Sequence, residues 1–233
     1  MKINNVAAGN AINWFKCGWK IFSSDMVNWV LMAVIFVIAI FLLSFIPLLG
    51  VFLVYLILPL MQAGMIYAAK KASEGESINL NDLFAVFKMD NKRGALIALG
   101  GIMLATMFVL AIVSVPFVGG AMMSSIDEMP ATGAPALPSF GAGGLVFVFI
   151  VGILLAMLFF YAPALILLRN MGVIAAIKTS FSAALNNLLP FILFLVIYAV
   201  LSVIAAIPFG LGFLVLLPVV MAASYCSYRD IFA

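Results

Sequence analysis

Three prolines set deep in apolar runs, Pro59, Pro163 and Pro218, are the residues of this chain best placed to shape a site. A proline inside a membrane helix withholds a backbone N–H and kinks the chain, so the freed carbonyl needs a partner from a neighbouring helix, a hydroxyl or water. Three such carbonyl sets, repeated around an axis, would line a polar path. Gln62, Tyr161 and Ser224 lie close to them in sequence and would add polar side chains to it. A packing kink inherited with a repeated unit is the simpler reading and is preferred, because proline is frequent in membrane helices. Gln62 follows Pro59 by three residues, whereas Ile166 and Met221 hold the matching places after Pro163 and Pro218, so any polar site is asymmetric. A lone Gln is also common glue between membrane helices.

Other chemistry is scarce. No Asp, Glu, Lys or Arg sits in the middle of an apolar run, which weighs against a proton- or sodium-driven pump. Histidine, the commonest metal ligand and usual general base, is absent from the chain. The sequence holds no HExxH, no GxSxG, no phosphate-binding glycine loop and no acidic pair suited to divalent-metal phosphotransfer, so an enzyme is not expected. Fourteen methionines are spread through the runs and read as apolar filler rather than a soft-metal path. Cys17 and Cys226 fall near one membrane face without the spacing of a disulfide framework or a metal site, and inert thiols are expected. No cofactor, metal or nucleic acid is expected as a partner; membrane lipids and partner membrane proteins are.

The elements that must carry these residues are membrane helices. The chain is 67% hydrophobic and 8% charged, with mean hydropathy +1.34, and an ordinary soluble domain has about 25% charged residues. Its apolar residues come in runs of about twenty, the length that crosses a hydrocarbon core of about 30 Å as a helix. Six spans are expected, at about 26–46, 48–69, 94–115, 145–168, 188–207 and 211–225. Lys2 is followed by a mixed polar segment rather than an apolar signal core, so the first span is expected to be retained.

Short amphipathic runs precede alternate spans. Ile12, Phe15, Trp19 and Phe22 share a helical spacing, as do Leu80, Leu83, Phe84 and Phe87, and then Ile177, Phe181 and Leu185. Each is expected to lie in the headgroup region, with Trp14, Trp19, Lys16, Lys20, Phe84, Lys88 and Phe181 as interfacial anchors. Asn79 and Asp82 have the spacing of a capping-box variant. Small pairs four apart, Gly64 with Ala68, Gly152 with Ala156 and Ala222 with Cys226, suit close packing within the chain.

Laid over one another, these segments form three parallel units of amphipathic helix plus hairpin, at about 9–72, 79–170 and 172–233, in one membrane domain. First helices end Ile46-Pro47, Val115-Pro116 and Ile207-Pro208, and second helices carry Pro59, Pro163 and Pro218. The units run the same way across the membrane, unlike the inverted repeats of many alternating-access transporters. The connection 117–144, rich in Gly, Ala, Pro and Ser, is expected to be an irregular external loop. All eleven Lys and Arg residues fall on the side opposite that loop, which predicts that both termini, the amphipathic helices and both cysteines are cytoplasmic. A reporter fused at Ala134 that read out as cytoplasmic would overturn this orientation.

The opening Trp14-Phe15-Lys16-Cys17-Gly18-Trp19-Lys20-Ile21-Phe22, the Ile46-Pro47-Leu48-Leu49-Gly50 turn, the Ala162-Pro163-Ala164-Leu165 segment and the Tyr225-Cys226-Ser227-Tyr228-Arg229-Asp230-Ile231-Phe232 ending carry a resemblance. Over nearly its full length the chain resembles a family of proteobacterial multipass inner-membrane proteins with no established activity. The resemblance implies a bacterial inner membrane and supplies no catalytic residues. More loosely, the unit is similar to bacterial membrane domains attached to glycerophosphodiesterases, although this chain carries no soluble domain.

Two functions follow as expectations. The first is a non-enzymatic membrane protein acting through packing with lipids or partner proteins, and it leads because no ion-handling residue is visible. The alternative is a passive channel, transporter-like or lipid-handling protein with a path near the pseudo-threefold axis, lined by the proline-kinked helices.

Overall fold

The computed structural model describes residues 3–47, 49–127 and 142–233. Among them all regular structure is helical: α1 (Asn10–Ser23), α2 (Met26–Ser44), α3 (Leu49–Ser73), α4 (Asn81–Phe84) with a following 3-10 turn (Ala85–Lys88), α5 (Asp90–Asp127), α6 (Ala142–Phe159), α7 (Ala162–Arg169), α8 (Val173–Asn186), α9 (Leu188–Ala206) and α10 (Phe213–Phe232). Six segments are long and apolar enough to cross a membrane: Met26–Ser44, Leu49–Ser73, Asp90–Ser114, Val146–Arg169, Leu188–Ala206 and Phe213–Phe232. The protein is therefore an all-helical multipass membrane protein.

The helices sort into an inner and an outer set. α3 and α10 bury 44% and 61% of their most apolar windows, whereas α2, α5 and α9 bury 17–22%. Residues Ala162 to Leu167 of α7 are also all buried. α3, α10 and the short α7 thus make the centre, and α2, α5, α6 and α9 present apolar side chains such as Phe41, Ile112, Phe149 and Val203 outward. Outward apolar faces are what a hydrocarbon solvent requires.

α1 lies along α10. Its apolar face packs antiparallel on α10, burying Trp14 and Phe22, while Trp19 stays half-exposed. Gly18 makes the contact feasible, because a Cβ there would meet the Val219 carbonyl at 2.6 Å and Ala223 Cβ at 2.9 Å. One turn along, Trp14 Nε1 donates to Asp230 Oδ2 at 2.9 Å. The same seam brings Cys17 and Cys226 to a Cα separation of 6.4 Å, and the two are joined as a disulfide, in place of the inert free thiols expected from their spacing. Antiparallel pairing across 209 residues of sequence leaves no local spacing signal.

The residues before α4 do form a reciprocal cap. Asn79 Oδ1 accepts from the Asn81 N–H at 2.9 Å, and Asp82 Oδ2 accepts from the Asn79 N–H at 2.9 Å. Lys71 Nζ then clamps Asp82 at 3.0 and 3.1 Å, tying this segment to the end of α3. Gly64 admits the backbone of Leu83, whereas a Cβ on Gly152 would meet nothing within 4 Å among the described residues, so of these two Gly64 serves close packing.

The largest departure is in α5. The chain stays helical through Pro116-Phe117-Val118-Gly119 to Asp127, and α6 begins at Ala142, so 117–127 is helix in place of the irregular connection expected there. Proline within a membrane helix is tolerated where the freed group is re-satisfied, so a Pro-Gly pair alone does not end one. The rest of that expected loop, 128–141, lies outside the described residues, as does Ala134.

Candidate functional site: an intramembrane cavity

Each central proline meets a different local solution. Pro59 lies within α3 and frees the carbonyl of Tyr55. Gly100 of α5 comes directly against that carbonyl; a Cβ on Gly100 would sit 2.4 Å from it. Such an approach brings Cα–H to the freed oxygen, a contact that recurs between close helices. α5 is thereby held tightly along α3.

Pro163 instead ends up near the start of a new helix. The expected fourth span is broken at Phe160 and Tyr161, between α6 and α7, with Pro163 in the first turn of α7. The direct bond from Tyr161 N–H to the Met157 carbonyl is replaced by an inserted hydroxyl. Ser180 Oγ of α8 accepts from Tyr161 N–H at 3.1 Å and donates to the Met157 carbonyl at 2.8 Å. An inserted side chain is one of the few causes of a sharp helix bend. Ser180 is fully buried, so both backbone groups depend on it.

Between these two prolines lies a cavity of about 360 Å3. α3 contributes Tyr55, Gln62 and Ile66, and α5 contributes Met103 and Met107. Across from them stand Phe159 of α6, Phe160 at the break, and Pro163 of α7, with Met221 and Ser224 of α10 closing the wall. Met107 is 41% exposed and marks a rim on the outer surface of the bundle. The Gln62 side chain makes no hydrogen bond among the described residues, so its amide, with the Tyr55 and Ser224 hydroxyls, is a polar handle in an otherwise largely apolar wall.

Of the residues singled out from sequence, Gln62, Pro163 and Ser224 meet at this cavity. Pro59, Tyr161 and Pro218 are buried but do not line it. The three proline-bearing helices α3, α7 and α10 all contribute to its wall, and of the helices expected to precede them only α5 does. Ser224 Oγ also donates to the Met221 carbonyl at 2.7 Å within its own helix, so it offers mainly its acceptor lone pairs. Of the anchors expected at the interface, Lys16, Lys20, Phe84 and Lys88 are exposed, Phe181 is half-buried, and Trp14 is in the core.

Sequence reasoning misses two residues. Ser180 has no flag in the sequence beyond its place on a small-residue face of α8. Asp230 accepts from both Asn10 Nδ2 and Trp14 Nε1 at 2.9 Å, so the Trp-rich opening and the Tyr-Arg-Asp-Ile-Phe ending are one contact in space. Comparison of the chain with protein-family models, curated proteins and solved structures found no match.

Proposed function

We propose that this is a multipass protein of a bacterial inner membrane that acts without catalysis, by holding a lipid chain in the cavity between α3, α5, the α6–α7 break and α10. The membrane location draws on the sequence resemblance, and the three parallel units with both ends cytoplasmic draw on the internal repetition and the distribution of Lys and Arg. The observation that carries the function is the cavity: about 360 Å3, within the roughly 300–1,000 Å3 of small-molecule sites. Its wall is apolar apart from a few polar groups, and its rim at Met107 faces the hydrocarbon. A lipid chain reaches such a rim without leaving the bilayer, and Gln62 offers a donor to an ester carbonyl.

The test is photo-crosslinking with a phospholipid bearing a diazirine in its acyl chain, followed by peptide mapping. Crosslinks concentrated on Met103, Met107 and Met221 support the reading, and Met107→Trp, which fills the cavity mouth, should remove them. Crosslinks spread evenly over outward faces such as Phe41 and Val203, unchanged by Met107→Trp, would return the function to partner-protein packing.

A further inference from the structure

A second cavity, of about 300 Å3, shares no lining residue with the first and lies toward the end of the bundle where Lys and Arg cluster. Its walls are the adjoining turns of α3, α7 and α10, with the opening of α5 beside them. Tyr67 and Lys70 follow Ile66 on α3, Tyr225 and Tyr228 follow Ser224 on α10, and Lys92 stands in the first turn of α5. From Gln62 to Lys70 is eight residues, about 12 Å along a helix. Apolar walls thus give way to ammonium and phenol groups over the distance that separates acyl chain from headgroup.

The charges here are weakly partnered within the described residues. Lys92 Nζ donates to the Leu167 carbonyl at 2.6 Å and, among those residues, meets no carboxylate. Lys70 meets Glu74 at 3.6 Å, with both side chains nearly half exposed, and such a pair holds weakly. Arg169 Nε donates to Tyr228 Oη at 3.1 Å, which leaves that phenol's own proton to donate elsewhere. Lys71 differs, because Asp82 already holds it. Two ammonium groups and a phenol O–H converging on one pocket match a phosphate, and basic pockets between membrane helices are where anionic headgroups bind.

We propose that the two cavities form one site for a single anionic phospholipid, with acyl chain between Gln62, Met107 and Met221 and phosphate between Lys70, Lys92 and Tyr228. This rests on the lipid reading of the apolar cavity and adds the headgroup charge.

The experiment is native mass spectrometry of the detergent-solubilised full chain offered equimolar phosphatidylglycerol and phosphatidylethanolamine of identical chains. Wild type should retain phosphatidylglycerol over phosphatidylethanolamine by roughly tenfold. Lys70→Gln with Lys92→Gln should bring that ratio near one while total retained lipid is kept, and Lys92→Arg should preserve the preference. Equal retention of the two lipids by wild type overturns the headgroup assignment and leaves the apolar cavity standing. Retention of neither overturns both. Glycerol 3-phosphate and inorganic phosphate form the control arm: stabilisation by either that matches phosphatidylglycerol in a thermal melt would assign the pocket to a soluble anion and overturn the lipid assignment.

Discussion

α3 and α7 each carry a proline beside the same cavity, yet one helix runs through and the other begins anew. At Pro59 the freed Tyr55 carbonyl meets the bare Cα of Gly100, so the backbone of α5 closes the gap. At Pro163 a hydroxyl from α8 enters the ladder, and Ser180 holds Tyr161 and Met157 apart. One proline costs a close helix contact, the other a bend. The bend turns Phe159 and Phe160 toward the space beside Gln62, and the cavity lies where the straight helix faces the broken one.

The comparison breaks most readily at Ser180. Ser180→Ala strands a buried N–H and a buried carbonyl, and should lower stability by about 2–4 kcal/mol, measured as unfolding in mixed micelles. Adding Pro163→Ala should recover more than half of that loss, because the ring no longer prevents α6 and α7 from joining and the direct Tyr161 to Met157 bond can form. Strict additivity of the two changes would mean that the proline and the hydroxyl are not coupled.

On the straight side, Gly100→Ala pushes α5 off the Tyr55 carbonyl and should cost about 1–3 kcal/mol. Gly101→Ala is its control, since nothing lies within 4 Å of a Cβ there. Equal melting shifts for the two variants would remove the close contact from the account. Smaller again is Pro218→Ala: α10 is already continuous around Pro218, so the change should stay within about 1 kcal/mol in the same assay.

The smallest effect is expected from the α1–α10 seam. Cys17 and Cys226 are joined across it, although disulfides are rare in the reducing compartment that the proposed orientation gives them. Alkylation of intact cells before lysis should label neither thiol until a reductant is added, and Cys17→Ser should leave expression unchanged. Labelling of both thiols without a reductant would remove this bond from the account.

The spans were legible because length and hydropathy alone specify a membrane helix, and six apolar runs became six spans. The cap at Asn79 and Asp82 was legible for the same local reason. Gln62, Pro163 and Ser224 could be singled out individually as polar or kinking groups in apolar runs. Their meeting with Met103 and Met107 could not, since it depends on which outer helix docks on α3, and Gly100 decides that through a backbone contact. Nothing local distinguishes Pro163 from Pro59; the difference is a serine on another helix. Pro116 misleads because Pro-Gly closes turns at Pro47 and Pro208, while at Pro116 the helix carries on.

The central claim, an apolar lipid-filled cavity and not a hydrated path, is tested most directly by spin labels on single cysteines at Gln62, Met221 and Ile166, with Cys17 and Cys226 replaced by serine. In membranes the labels at positions 62 and 221 should be relaxed strongly by oxygen and weakly by a water-soluble nickel chelate, and the label at the buried position 166 should be the least mobile of the three. Strong relaxation by the nickel chelate at positions 62 and 221 would contradict the account and establish water where a lipid chain is placed.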